Sequence, residues 1–82
     1  MQNYPNPFNP STMIRYQIPA AVHVNVTVYD ILGKNVAVLV DGLQEAGSYE
    51  IPFDGSAYSA GVYFFRIAAG GDNALKKMML LK

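Results

Sequence analysis

The chain contains no cysteine and no tryptophan among its 82 residues, and these absences exclude several classes of protein. Without cysteine there is no disulfide, no thiolate metal site and no cysteine nucleophile. Without either residue there is no Cys…Trp…Cys core of the kind found in antibody domains. No run of about 18 apolar residues is present, so we expect no transmembrane segment.

A surplus of charge is also missing, because six basic and six acidic residues give a formal net charge of zero. Binding to nucleic acid requires positive charge that displaces counterions, so we expect no nucleic-acid partner. Residues 1–7 have no basic region followed by an apolar stretch and do not resemble a secretory signal peptide. If the protein is exported, we therefore expect its signal peptide to lie upstream of these residues.

The composition is 51% hydrophobic and 15% charged, which is typical of a folded domain and not of a disordered tail. The length predicts one domain, residues 1–82. Three of the five prolines lie in the first ten residues, and residues before proline favour extended backbone. We expect residues 1–11 to form a stiff, irregular lead-in and residues 12–82 to form the folded unit.

Apolar and polar residues alternate with a period of two along most of the chain, which predicts β-strands. In the clearest example, residues 22–29, four valines alternate with polar or aromatic residues. Gly33 is expected to supply a positive φ in the hairpin loop that follows. The one helical alternative, residues 39–46, is weakened by Gly42, so short strands separated by turn residues predict an all-β sandwich or small barrel. Six strands are predicted, with bounds Thr12–Ile18, Val22–Tyr29, Asn35–Val40, Tyr49–Phe53, Val62–Ala69 and Ala74–Lys82.

Three details refine these strands. Pro52 cannot donate a ladder hydrogen bond, so the fourth strand should lie at a sheet edge or end at a bulge. Residues 62–69 are apolar on both faces, which favours a central position for the fifth strand. Val36, Val38 and Val40 are expected to share one face of the third strand. Asp41-Gly42, and later residues 70–73, are predicted turns.

No catalytic constellation stands out. The one histidine, His23, alternates with inward valines and is predicted to face solvent. A triad requires an oriented nucleophile and a carboxylate beside the base. The serines (Ser11, Ser48, Ser56, Ser59) and four aspartates (Asp30, Asp41, Asp54, Asp72) occupy turns or strand ends, where both residue types are common. We expect no enzymatic activity and no cofactor.

Two binding functions remain as alternatives. Asp72 with Asn73, or Asp54 with Ser56, offers oxygen ligands for calcium, but the spacing of a dedicated calcium loop is missing, so we expect no metal. Exposed aromatic rings on a sheet face would favour an accessory structural or carbohydrate-binding module. The tyrosines that raise this alternative are Tyr16, Tyr29, Tyr49, Tyr58 and Tyr63.

The C-terminal segment has two interpretations. Lys76, Lys77 and Lys82 flank four continuous apolar residues, 78–81, and the segment contains no acid. It is either a strand buried on both faces with lysines at the rim, or a strand that a receptor captures through its edge. The residues alone favour neither.

Several motifs occur in order along the chain: YPNPFNPST at 4–12, VYDILGK at 28–34, FD at 53–54 followed by SAGVYF at 59–64, and KKMMLLK at 76–82. Together they resemble the type A C-terminal sorting domain of the type IX (Por) secretion system. Tyr58 departs from the family pattern, which more often has leucine there.

The resemblance implies an all-β, immunoglobulin-like antiparallel sandwich of six to seven strands, related to the Ig-like domains of hook-capping proteins. It implies a non-catalytic module that directs an upstream cargo protein of Bacteroidota through the periplasm and across the outer membrane to the cell surface or beyond. The expected partners are the outer-membrane translocon, a sortase-like peptidase and the upstream cargo domains, with weak self-association through edge strands.

Residue roles follow from the same resemblance. The export signal is expected at Lys76, Lys77, Met78, Met79, Leu80, Leu81 and Lys82. The residues expected to define the fold are Asn6, Pro7, Phe8, Asn9, Pro10, Gly33, Asp54, Gly61, Val62 and Tyr63.

Overall fold

A computed structural model describes residues 2–4 and 11–81 of the chain. These residues form seven β-strands, all paired antiparallel, and no helix. The strands are β1 (Gln2–Tyr4), β2 (Ser11–Ile18), β3 (Val22–Asp30), β4 (Asn35–Gln44), β5 (Gly47–Asp54), β6 (Gly61–Ala69) and β7 (Asp72–Leu80).

The strands form two sheets, with orders β1-β2-β5 and β4-β3-β6-β7. β2 pairs with β5 in one sheet and β3 pairs with β6 in the other, so the chain crosses between the sheets after β2 and after β5, as it does in immunoglobulin folds. The predicted immunoglobulin-like sandwich is therefore confirmed. β5, with Pro52, is an edge strand and β6 is an interior strand, as predicted.

The core lies between the sheets and consists of inward residues that alternate along each strand. Val24, Val26 and Val28 of β3 are fully buried, as their period of two predicts. Phe65 is the largest fully buried side chain. The buried hydrophobic residues are Ile14, Tyr16, Ile18, Val24, Val26, Val28, Phe53, Tyr63, Phe65, Ile67, Met78 and Leu80.

The prediction for β4 is wrong in two respects. The strand does not end at Val40 but continues through Asp41-Gly42 to Gln44, because these residues pair with the first half of β3. Val38 does not share a face with Val36 and Val40: it is 53% exposed, whereas the other two pack against the core. Register shifts opposite Val26/Thr27 and Val28/Tyr29 of β3 interrupt the alternation of inward and outward residues along β4.

The two ends of the chain also differ from expectation. Gln2–Tyr4, within the predicted irregular lead-in, is a strand that pairs with Met13–Arg15. Ser11, the last residue of that lead-in, begins β2, whereas residues 1 and 5–10, including Asn6, Pro7, Phe8, Asn9 and Pro10, lie outside the described residues. At the other end, Asp72 and Asn73 are not turn residues but begin β7. The turn itself consists of two glycines, and Gly70 has a φ of 61°.

A tyrosine fixes the connection between β5 and β6. The Tyr63 hydroxyl donates a hydrogen bond to the carbonyl oxygen of Ser59, four residues upstream, at 2.7 Å. A tyrosine at the start of this strand, bonded back to the preceding loop, is the tyrosine corner of immunoglobulin-like sandwiches. Gly61 begins the strand with a φ of 148°, a conformation that other residues adopt only with strain. Gly61 and Tyr63 thus shape the connection between β5 and β6, and their role as fold-defining residues stays a prediction.

Candidate recognition site on the C-terminal strand

The segment predicted to be an export signal coincides with β7 and the residue after it. β7 pairs with β6 from Gly61↔Leu80 to Ala69↔Asp72, without a register shift. It is the outermost strand of its sheet, so among the described residues its second edge has no neighbouring strand. The two glycines of the β6–β7 turn hold the pair in this register.

The inner face of β7 belongs to the core. Met78 and Leu80 are each 1% exposed and lie opposite Tyr63 and Gly61 of β6. Full burial of such a side chain stabilises a fold by about 1.5–3 kcal/mol relative to exposure. These two residues therefore hold the strand on the sandwich.

The outer face of β7 is exposed to solvent. Leu75 is 59% exposed and Met79 is 40% exposed, and Leu81, just beyond the strand, is 43% exposed. A strand buried on both faces is therefore the wrong interpretation of the apolar run 78–81. The reason is architectural, because in a two-layer sandwich the outer face of each sheet has no third layer against it.

The lysines lie among these residues on both faces. Lys77 is exposed on the outer face, opposite Phe64. Lys76 lies opposite the fully buried Phe65, at an inward register position, yet it is exposed. At the edge of a sheet a long side chain can bend around the rim and place its ammonium group in water. Lys82 is outside the described residues.

The outer face near β7 continues onto β6 and β3. One row across the sheet consists of Val38, Thr27, Arg66 and Leu75, each opposite the next. The guanidinium carbon of Arg66 lies 5.7 Å from the centroid of the Tyr29 ring, within cation–π range. Arg66 and Leu75 also line an open depression of about 350 Å³ together with Asn73 and Ala74.

Three predicted turn residues have clear local roles. Gly33 has a φ of 85°, as expected for the β3–β4 hairpin. Asp54 accepts a hydrogen bond from the backbone N–H of Ser56 at 2.9 Å. Oδ1 of Asp30 accepts the N–H groups of Leu32 and Lys34, each at 2.9 Å, as expected for an aspartate that begins a turn.

His23 faces solvent, as predicted, but it has a partner that the sequence did not reveal. Its Nε2 lies 2.8 Å from Oδ1 of Asp41, and both side chains are mostly exposed. The pair forms diagonally across β3 and β4, where His23 lies opposite Leu43 and Asn25, two residues further along β3, lies opposite Asp41. An exposed pair of this kind contributes little to stability, about 0–1 kcal/mol.

Most tyrosines do not form an exposed platform. Tyr16 and Tyr63 are buried, and Tyr49 is stacked on Tyr16 with ring centroids 5.4 Å apart. Tyr58 is stacked on Phe53 at 5.7 Å. Burial raises the pKa of the Tyr16 hydroxyl, against the opposing effect of its hydrogen bond to Gln44. These rings are packing residues, which weakens the case for a sugar-binding surface.

Comparison with known proteins identifies the family. The family described as secretion system C-terminal sorting domain matches residues 2–81, nearly the whole chain. The chain belongs to this family. Comparison with curated proteins and with solved structures gave no significant match.

Membership establishes the general function. A domain of this family is a sorting signal for type IX secretion of a cargo protein, not a catalytic domain. It implies interaction with the type IX machinery and export across the outer membrane to the cell surface or the extracellular space. The described residues include no helix that is long and apolar enough to cross a bilayer.

Proposed function

We propose that Lys76–Lys82 is the part of this sorting domain that the outer-membrane translocon recognises, and that the rest of the sandwich is a non-catalytic scaffold for it. After transfer, a sortase-like peptidase separates the domain from its upstream cargo. The cargo then remains at the cell surface or is released.

The main support is the exposure pattern of β7. The strand combines large exposed aliphatic side chains, Leu75 and Met79, with exposed lysines on the open edge of a sheet. Exposed apolar groups on an edge strand favour aggregation, and proteins usually avoid them unless they serve binding. A recognition role accounts for this combination.

The direct test is export of a reporter in a host that has type IX secretion. A periplasmic reporter with residues 1–82 fused to its C-terminus should appear at the surface or in the medium. The same fusion should stay in the periplasm when it lacks residues 76–82, or when the host lacks the translocon. Export of the shortened fusion at the normal level would contradict the proposal.

The shortened fusion needs a folding control, because Met78 and Leu80 are core residues. A fusion that lacks only Leu81 and Lys82 keeps both of them. It is expected to fold, and any loss of its export then reports recognition. Circular dichroism of the matching purified chains separates the two effects.

A further inference from the structure

The open edge of β7 offers backbone groups for pairing. In an edge strand, alternate residues direct their N–H and C=O groups away from the sheet, where an extended segment of another protein can bond to them. β7 is nine residues long and has no register shift, so it presents a regular edge. The opposite edge strand, β4, is interrupted by two register shifts against β3.

The outer face beside this edge carries two exposed apolar side chains, Leu75 and Met79, with Lys77 between them. Met79 lies opposite Val62, and Leu75 lies opposite Arg66 beside the open depression. A strand added to β7 would place alternate side chains on this same face, next to Leu75 and Met79. Backbone pairing and apolar contact are therefore available to one partner at the same time.

Charge is segregated within a chain that is neutral overall. Residues 61–82 contain four of the six basic residues and one of the six acidic residues. Arg66, Lys76 and Lys77 lie on β6 and β7, where the one carboxylate is Asp72 at the start of β7. The edge is thus complementary to an acidic partner.

The charge of Lys76 affects which strands of other chains can pair with the edge of β7. A charged residue at an inward register position of an edge strand discourages uncontrolled pairing, because an added neutral strand would partly desolvate the charge. A second copy of the chain is disfavoured for the same reason. In full antiparallel pairing of two β7 strands, Lys76 at the centre of Asp72–Leu80 would face the Lys76 of the other copy. A strand with a carboxylate at that position is favoured.

From these observations, and on the basis of the function proposed above, we propose that the export machinery binds the folded domain by adding an acidic strand to the open edge of β7. The added strand pairs with the β7 backbone, places carboxylates beside Lys76 and Lys77, and covers Leu75 and Met79.

Secretion of variant reporter fusions tests the surface, with controls that the chain itself provides. Leu75→Ser and Lys76→Glu should each lower export about tenfold, whereas Lys76→Arg should keep it. Leu43→Ser is the matched control, since Leu43 is 76% exposed on the other edge strand of the same sheet. Lys34→Glu, in the exposed β3–β4 hairpin, is the control for charge. Both controls should be exported normally.

Hydrogen exchange tests the pairing. In the full-length precursor bound to the detergent-solubilised translocon, amides of residues 72–80 should exchange more slowly than in the free precursor. The exchange rates of residues 35–44 should not change.

Thermal melting checks that the substituted domains remain folded. Because the substituted side chains are exposed, the melting temperature of each variant should be close to that of the unsubstituted chain.

The outcomes separate this inference from the proposed function. Normal export of folded Leu75→Ser and Lys76→Glu fusions, while removal of residues 76–82 still blocks export, would overturn edge recognition and leave the function intact. Equal losses in the β7 and control variants, or no added protection in β7, would overturn it as well. Normal export without residues 76–82 would instead refute the function.

Discussion

Met78 and Met79 are adjacent and chemically identical, yet they lie on opposite faces of β7. Met78 is 1% exposed and lies in the core, whereas Met79 is 40% exposed on the outer face. Replacing each by alanine removes the same atoms from two different environments. The pair therefore measures, with one type of substitution, which face of the strand holds the fold together.

The expected magnitudes differ severalfold. A buried methionine replaced by alanine costs about 2–5 kcal/mol, from lost burial plus the cavity left behind. A surface replacement usually changes stability by about 0.5 kcal/mol or less. At about 0.05–0.15 kcal/mol per residue, a domain of this length has roughly 4–12 kcal/mol in total. Met78→Ala thus removes a large share of the stability, and Met79→Ala removes little.

Urea unfolding of the purified chain, followed by circular dichroism, gives both values from one experiment. We expect the two midpoints to differ clearly at unchanged slope, and thermal midpoints to differ by about 6 °C or more, given about 4–8 °C per kcal/mol at this size. Leu80→Ala should likewise lower stability more than Leu81→Ala. Equal losses, or a larger loss for Met79→Ala, would refute the register of β7, since a slip of one residue exchanges the faces.

Three further predictions concern the scaffold. Tyr63→Phe should lower the free energy of unfolding by about 1 kcal/mol, because it removes the hydrogen bond of the tyrosine corner. Tyr49→Phe should cost less, because the Tyr49 hydroxyl donates to a carbonyl four residues upstream at an exposed site; thermal melting of both variants gives the comparison. Gly61→Ala should lower stability by about 1–2 kcal/mol through backbone strain at its positive φ, since no atom lies within 4 Å of an added Cβ to cause a clash. Gly42 has no positive φ, so Gly42→Ala should cost little in the same assay. Burial raises the pKa of Tyr16 in the folded state, so the tyrosine of the unfolded chain ionises first and stability should fall as the pH rises above about 10. Unfolding measured at increasing pH should show a smaller fall in stability for Tyr16→Phe.

The sequence predicted most of the strands because burial on one face imposes a period of two. β3 illustrates this, since its inward valines at 24, 26 and 28 are fully buried. Pro52 restricted β5 to a sheet edge or a bulge, and β5 is an edge strand; apolar residues on both faces of β6 favoured its interior position. These features depend on single residues and their nearest neighbours in sequence, so local patterns were sufficient.

The features that the sequence did not predict depend on pairing between distant segments. Gly42 has the local character of a turn residue, but its pairing with Val24 keeps it in β4. The exposure of Val38 follows from bulges that no local pattern marks. His23 and Asp41 are eighteen residues apart in sequence, and they are in contact because β3 and β4 lie side by side. Tertiary pairing overrides local propensity in each case.

The sequence of the C-terminal strand is compatible with both of its interpretations. An apolar run of four residues, 78–81, has no period, so it is compatible with burial on both faces. In the strand the run divides, since Met78 and Leu80 enter the core while Met79 and Leu81 remain exposed. The same short segment can therefore anchor the strand with one face and bind a partner with the other. Removal of the whole segment cannot distinguish these roles, but substitution on one face at a time can.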